Sequence, residues 1–392
     1  MPSWSDANQT GQLSLGSSNS LNMKPLRLVA ANDPVSALLA LGNVLEGKQA
    51  LFITRPEVNG LMPEVHGLPD EVAENIGLIV ESSGSTGTPK RFELSPQALR
   101  AAANASALRL GGHGQWLLTL PVNYVAGAMV LVRSLLADTQ PVIMNSGVGF
   151  TAESFARHTG MLTAARRYTS LVPAQLGKLA EALPHLPELL PAMKRFDAIL
   201  VGGQAANPNH VRELRDLGLK LVLTYGSAET AGGVVYDGSP LEGVSVSITK
   251  DGLIAIESPT IAENVQHPFV TNDLGSIKDG ILSIQGRIDR VINSGGVKLS
   301  LEAIESWALD HDGIREAAAV KVPNQQFGES FVCFIVRERR FSFDHSQAAS
   351  ALGLAAKHGV WRDLETIPKL ASGKPDLQFL EVLANQPGEH HG

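Results

Sequence analysis

Along residues 75–226, short apolar runs alternate with amphipathic stretches. The runs "IGLIV", "QWLLTL", "PVIM", "RYTSLV", "FDAILV" and "LKLVLTY" are brief, rich in Val, Ile, Leu and aromatic residues, and bounded by turn residues, a pattern that predicts strands. Between them the spacing predicts helices over 96–110, with Ser95 as N-cap, and near 126–137, 152–159, 173–182 and 208–217. Such alternation implies an open, mostly parallel α/β sheet whose ligands lie at the carboxyl ends of the strands.

After residue 240 the texture changes. The runs "VSVSIT", "GLIAIES" and "GILSIQG" alternate in polarity between Gly and Asp turns, which predicts a small β subdomain. "GRIDRVINSGGVKLS" follows, rich in Gly and charge, and then a helix, two strands, another helix and a terminal loop. A boundary at residues 287–290 divides the chain into a large N-terminal α/β domain with its β subdomain, 23–286, and a small α+β C-terminal domain, 287–392. Residues 1–22 are polar and aperiodic and read as a disordered leader.

Composition narrows the function classes. The 392 residues, 44% hydrophobic and 18% charged, suffice for a core spread over two or three domains. A net charge of −7 repels polyanions, so nucleic acid is not expected as a partner and any phosphate site must be local. The single cysteine, Cys333 in "FVCFIV", reads as a buried strand thiol suited to a reducing cytoplasm. The longest apolar run, "VAGAMVLVRSLLA", is too short for a membrane span and carries Arg133, and the N-terminus lacks a secretory pattern; no membrane insertion is expected.

Candidate chemistry concentrates in "VESSGSTGTPKRFELS", residues 80–95. It is not a Walker loop, because Lys90 follows Pro89 and no Ser or Thr follows it. Gly84 and Gly87 nevertheless allow backbone N–H groups to converge, Ser82, Ser83, Ser85, Thr86 and Thr88 offer hydroxyls, and Lys90 brings charge. Composition fits a hydrated linker as well as an anion clamp. Its place between two elements of one sheet favours the clamp.

The order Ser82-Ser83-Gly84-Ser85-Thr86-Gly87-Thr88-Pro89-Lys90 resembles the signature of the adenylate-forming superfamily, which includes acyl-CoA synthetases. Four later segments resemble further motifs of that superfamily in the same order: "YGSAET", "TNDLG", "GRIDRVINSGGVKLSLEAIE" and "IPKLASGKPD". The resemblance covers about residues 75–380. Ala228, Asn272 and Leu377 depart from the usual residues, and the part ahead of the clamp is short for this superfamily.

The resemblance implies the adenylate-forming fold and the use of ATP, Mg²⁺ and coenzyme A. It places Ser83, Ser85, Thr86, Thr88 and Lys90 on the ATP phosphates, and Glu229 with Thr86 on the metal, hard oxygen donors for a hard cation. Tyr225 and Gly226, with Gly202, Gly203 and Gln204, would wall the adenine; Asp273 and Arg287 would hold the ribose. Lys374 would stabilise charge developing as a carboxylate attacks the α-phosphorus. Asp289 would be the hinge about which the small domain turns between the two half-reactions.

A second resemblance concerns the acid. "VAGAMVLVRSLLA", "RRYTSLVPAQLGKL" and "RFDAILVGGQAA" resemble the o-succinylbenzoate-CoA ligases of menaquinone biosynthesis. Their substrate has two carboxylates, so the charge of the unreacted one needs compensation. Arg133, Arg166 and Arg167 are the candidates, with Tyr124 at a position where the superfamily usually has His, and Ser170, Gln175 and Gly226 lining the cavity. The alternatives are a ligase for another aromatic or short acid, a stand-alone adenylation enzyme, and a degenerate nucleotide-binding protein. Small molecules are the implied partners; homodimerisation is left open.

Overall fold

The computed structural model describes residues 22–82, 90–144, 149–338, 343–370 and 373–386. Nearly all of the expected leader, and residues 83–89 of the expected clamp, lie outside the described residues.

Two sheets, rather than one, build the large part of the chain. In the first, the parallel strands Met23–Ala30, Ala50–Thr54 and Leu78–Ser82 are flanked by antiparallel Glu71–Ala73 and Lys90–Leu94. The second runs, in spatial order, Ser239–Pro240, Gly232–Tyr236, Leu221–Ser227, Ala198–Gly202, Arg167–Leu171, Gln115–Leu118 and Val142–Ile143; its last five strands are parallel. The run "IGLIV" therefore pairs with Ala50–Thr54 and not with the strands after residue 115. A buried strand reads as a continuous apolar run whichever sheet it joins, so periodicity does not distinguish the two arrangements.

Helices Pro34–Leu45, Pro96–Arg109 and Val125–Leu136 fill the space between the sheets, where Leu41, Leu78, Leu99, Trp116, Val130 and Leu200 share one core. Residues 127–134 of the third helix are all buried, which is why its sequence is apolar around its circumference. Alternation splits each central strand between two cores: Ala198 and Leu200 face the inner helices, while Ile199 and Val201 face Ala152–Thr159, Pro173–Ala182 and Pro208–Asp216 on the other side.

Strands Ser245–Ile248, Leu253–Glu257, Phe269–Lys278 and Ile281–Arg287 form the β subdomain as an antiparallel meander. Beyond a short turn at Ile288–Arg290, the hairpin Val291–Ser294/Val297–Ser300 leads into helix Leu301–Leu309 and the long strands Ile314–Asn324 and Gly328–Arg337. Strand Val360–Asp363 and helix Leu377–Asn385 complete this part. The second expected helix falls at Ala348–Leu352; the hairpin, the edge strand and the helix Leu377–Asn385, in the expected terminal loop, were not anticipated. The hairpin turns on Gly295 and Gly296, whose φ of 60° and 86° is the region that glycine enters without strain. Cys333 is fully buried in Gly328–Arg337, and burial pushes its thiol pKa up. Among the described residues no helix is long and apolar enough to cross a membrane.

Candidate active site

The carboxyl end of Leu221–Ser227 is shaped by two demands on its backbone. A Cβ on Gly226 would lie 2.0 Å from the Gly232 carbonyl oxygen, so only glycine lets the returning strand cross here, beside a register shift at Tyr225/Gly226. The chain then tightens into the 3₁₀ turn Ala228–Thr230, where the Thr230 hydroxyl accepts the Ser227 N–H at 3.0 Å and donates to the Gly232 carbonyl at 2.8 Å. Glu229 is thereby held half-buried, its carboxylate without a hydrogen bond or ion pair among the described residues.

Across from this turn, Asp273 sits opposite Arg287 in the β subdomain. Its carboxylate accepts the Tyr225 hydroxyl at 2.7 Å and lies 3.5 Å from the Arg287 guanidinium. Burial, then the neighbouring Asp273 charge, pushes the Tyr225 pKa up, so this hydroxyl remains a donor. Arg287 also donates to both carboxylate oxygens of Asp289, at 2.9 and 2.6 Å. One guanidinium thus spans the expected ribose carboxylate and the expected hinge.

Lys374 arrives from the far end of the chain. It is on the loop before helix Leu377–Asn385, whose Gly373 carbonyl accepts the Gln204 side-chain amide at 3.3 Å. Solvent still reaches Lys374, yet crowding by protein and then the Arg287 charge lower its pKa, while Asp273 and Glu229 oppose them. Two further polar contacts seat this part of the chain: Asn209 donates to the Leu309 carbonyl at 2.9 Å, and Arg315 lies 4.0 Å from Glu181. Lys374, Glu229, Asp273, Arg287, Tyr225 and Gln204 therefore meet at the carboxyl ends of the second sheet. The φ of 86° at Gly203 turns the chain out of Ala198–Gly202 at the same rim.

This gathering can be set beside known proteins. The AMP-binding enzyme family matches residues 27–253. The chain belongs to that family. A probable 2-succinylbenzoate–CoA ligase of Mycobacterium tuberculosis is 34% identical over 328 residues, 80% of this chain and 85% of that protein. The 2-succinylbenzoate–CoA ligase of Listeria monocytogenes is 26% identical over 93% of this chain and 82% of its own length. Among solved structures, the amide bond synthetase McbA from Marinactinospora thermotolerans superimposes with a TM-score of 0.71 at 20% identity, over 92% of this chain and 80% of that one. The o-succinylbenzoate CoA synthetase MenE from Bacillus subtilis, in complex with the acyl-adenylate intermediate OSB-AMP, gives 0.67 at 22% identity, over 90% and 83%. These likenesses establish the adenylate-forming fold.

On the acid side of this AMP-binding enzyme the expected residues separate. Gln175 accepts the Val172 N–H at 3.1 Å and donates to the Thr119 carbonyl at 3.1 Å, and Thr119 donates to the Ser170 carbonyl at 2.7 Å, so Ser170 and Gln175 frame the strand ends. Tyr124 caps the N-terminus of Val125–Leu136 at the same rim; burial raises its pKa and the Arg55 charge lowers it. Arg133, two turns further along, stacks on Trp116 at the opposite end of the strands. Arg167 opens its strand, its N–H donated to Asp197, and Arg166 lies beside Gly112. None of these three joins the Lys374 cluster, because helix and strands run antiparallel and their far ends carry these positions. Arg55, a charge directly after the buried strand Ala50–Thr54, was not anticipated. Neither were Asn123 and Ser227, whose Oδ1 and Oγ are buried without a hydrogen-bond partner among the described residues.

The donor set fits the groups this family uses. Unpartnered polar atoms on Asn123 and Ser227 leave hydrogen bonds for a ligand or water to complete. No group of three His, Cys, Asp or Glu side chains that could hold a metal occurs among the described residues. A single free carboxylate suits Mg²⁺, which keeps its waters and takes most of its ligands from phosphates.

Proposed function

We propose that this enzyme is an o-succinylbenzoate-CoA ligase, joining the acid to coenzyme A through an acyl-adenylate, as in menaquinone biosynthesis. The observation that carries the reaction class is the convergence of Lys374, from the end of the chain, on Asp273 and Glu229. Similarity to the curated ligase over most of both chains supports the choice of acid.

In the first half-reaction a carboxylate oxygen of the acid bonds to the α-phosphorus, the bond to the bridging oxygen breaks, and pyrophosphate leaves. Asp273 accepts the ribose hydroxyls, held by the Tyr225 hydroxyl and Arg287. Lys374 places its ammonium where charge develops on the attacking and bridging oxygens, which favours the transition state over the ground state. Ser83, Ser85, Thr86, Thr88 and Lys90 receive the leaving phosphates, with Gly202, Gly203 and Gln204 beside the base. Glu229 and Thr86 would hold Mg²⁺, which when bound neutralises phosphate charge. In the second half-reaction the thiol sulfur bonds to the acyl carbon, the carbon–oxygen bond to AMP breaks, and the thiol proton passes to solvent.

Residues 287–392 would rotate about Asp289 between these steps, relative to residues 23–286. Polar contacts across the boundary, including those of Arg287 with Asp273 and Ser300 with Gln285, would have to be exchanged in such a movement. On the acid side, Arg55 beside Tyr124 is better placed than Arg133 or Arg167 to compensate a second carboxylate. A buried free thiol at Cys333 suits a reducing cytoplasm.

Acid-dependent ATP–pyrophosphate exchange over a panel of aromatic and short acids, followed by trapping with coenzyme A, tests the reading. Exchange with o-succinylbenzoate above all others is expected. Preference for another acid would reassign the substrate, and exchange with no acid would point to a nucleotide-binding protein without ligase activity.

A further inference from the structure

Arg290, one residue beyond Asp289, takes no part in the site described above. Its side chain is mostly buried, with 15% exposed, and pairs with two carboxylates of helix Leu301–Leu309. The guanidinium Nε lies 2.6 Å from Glu302, and Nη2 donates to Glu305 at 2.5 Å and to the Ala319 carbonyl at 3.3 Å. The same Glu305 oxygen accepts the Ala319 N–H at 2.7 Å. Arg290 and Glu305 together therefore satisfy both backbone groups of Ala319. One side chain fastens the chain just past the boundary to helix Leu301–Leu309 and to strand Ile314–Asn324. An exposed ion pair would hold little; here the charges are largely out of solvent and make further hydrogen bonds.

On the other side of Asp289 the backbone is fixed as well. Strand Ile281–Arg287 is paired with Phe269–Lys278, Arg287 standing opposite Asp273. After Arg290 the hairpin closes with Val291 opposite Ser300 and buries Ile292 and Leu299 in the C-terminal core. Between the two fastened stretches lie only Ile288 and Asp289, both exposed. Their backbone torsions are where the chain is free to turn.

We propose that Arg290 is a positioning residue: held by Glu302, Glu305 and Ala319, it makes the segment after Asp289 part of the C-terminal body and confines turning to Ile288 and Asp289. This rests on the rotation proposed above. With the fastening lost, the rotation would spread over a loose segment, and the body would reach its second orientation with less precision. The orientation that presents Lys374 has other supports, from Gln204 to Gly373, Asn209 to Leu309 and Ser300 to Gln285. Rotation gives those up, so the step after it depends on Arg290 more than the step before it.

Rates of the two half-reactions, measured at about pH 8, above the value of about 7 to which burial pushes the Glu305 pKa, provide the test. Arg290→Lys keeps the charge but not the rigid fork that spans two carboxylates. It should stay folded, keep ATP–pyrophosphate exchange and the KM for ATP within a few-fold, and lower thioester formation from supplied acyl-adenylate by roughly tenfold or more, because small misplacements of reacting groups are costly. Arg290→Gln should lose more in the same step. Hydrogen exchange in the unaltered protein is a reading independent of any variant: the hydrogen-bonded amides of the hairpin and of Ala319 should exchange as slowly as those of Leu301–Leu309, and the Asp289 amide faster. Equal losses in both half-reactions, undiminished thioester formation in folded Arg290→Gln, or fast exchange throughout residues 291–300 would each overturn the proposal. Asp289→Pro separates this from a failure of the rotation itself. Thioester formation lost there and kept in Arg290→Gln removes the role of Arg290 alone, whereas retention in both removes the rotation with it.

Discussion

At the residue scale the site is a balance of charge around one ammonium. Lys374→Ala should slow adenylation by about 10²–10³-fold, the usual effect of removing one preorganised group that stabilises developing charge. Thioester formation from supplied acyl-adenylate should stay within a few-fold, and equal loss in both half-reactions would contradict the assignment of Lys374 to the first. Its lowered pKa carries a sign for pH dependence. A lysine loses its charge as pH rises through its pKa, so the alkaline fall in adenylation at saturating ATP should begin below the ordinary lysine value of about 10.4. Arg287→Gln removes a repulsive neighbour and should move that limb to higher pH; Asp273→Asn removes an attractive one and should move it lower. Opposite shifts would show that another group titrates. Most of these residues were legible in the sequence because motif order implied them. Arg55, Asn123 and Ser227 were not, since an isolated Arg, Asn or Ser carries no pattern.

At the element scale the site depends on close approaches of backbone. Gly226 lets Gly232–Tyr236 fold back on Leu221–Ser227, and the 3₁₀ turn between them aims Glu229. Gly226→Ala should destabilise the fold by about 1–3 kcal/mol, the usual cost of forcing atoms into filled space, read as a lower midpoint in denaturant. It should also raise KM for ATP, because Tyr225 and Glu229 flank the displaced backbone. Unchanged stability would mean that the bulge relaxes without strain. Most strand and helix positions between residues 75 and 226 followed from apolar spacing, since those elements are buried along a regular face; the short strand Lys90–Leu94 and helix Leu189–Met193 did not. The hairpin Val291–Ser294/Val297–Ser300 escaped notice because its two strands are only four residues each and half exposed.

At the scale of the whole molecule, Arg287 joins three regions: Asp273 in the β subdomain, Asp289 at the boundary and the Lys374 loop beyond it. Movement of the C-terminal part should therefore be felt in the nucleotide site. Asp289→Pro fixes φ at the proposed hinge. It should leave ATP–pyrophosphate exchange within several-fold while reducing thioester formation at least about tenfold, on the view that rotation gates the second step. Comparable rates for both steps would exclude a rotation at this residue.

By itself the sequence determined the chemical inventory: a Ser/Thr/Gly-rich loop, an acid after a Tyr-Gly pair, the carboxylates of Asp273 and Asp289 and a terminal lysine, in an order that resembles adenylate-forming enzymes. Local spacing also determined most helices and strands, because burial imposes a period on each. Only the tertiary structure decided which sheet each strand joins and which end of it each side chain occupies. Arg133 illustrates the difference. Within its apolar helix it is close in sequence to Tyr124, yet a rise of about 1.5 Å per residue carries it to the far end of the sheet.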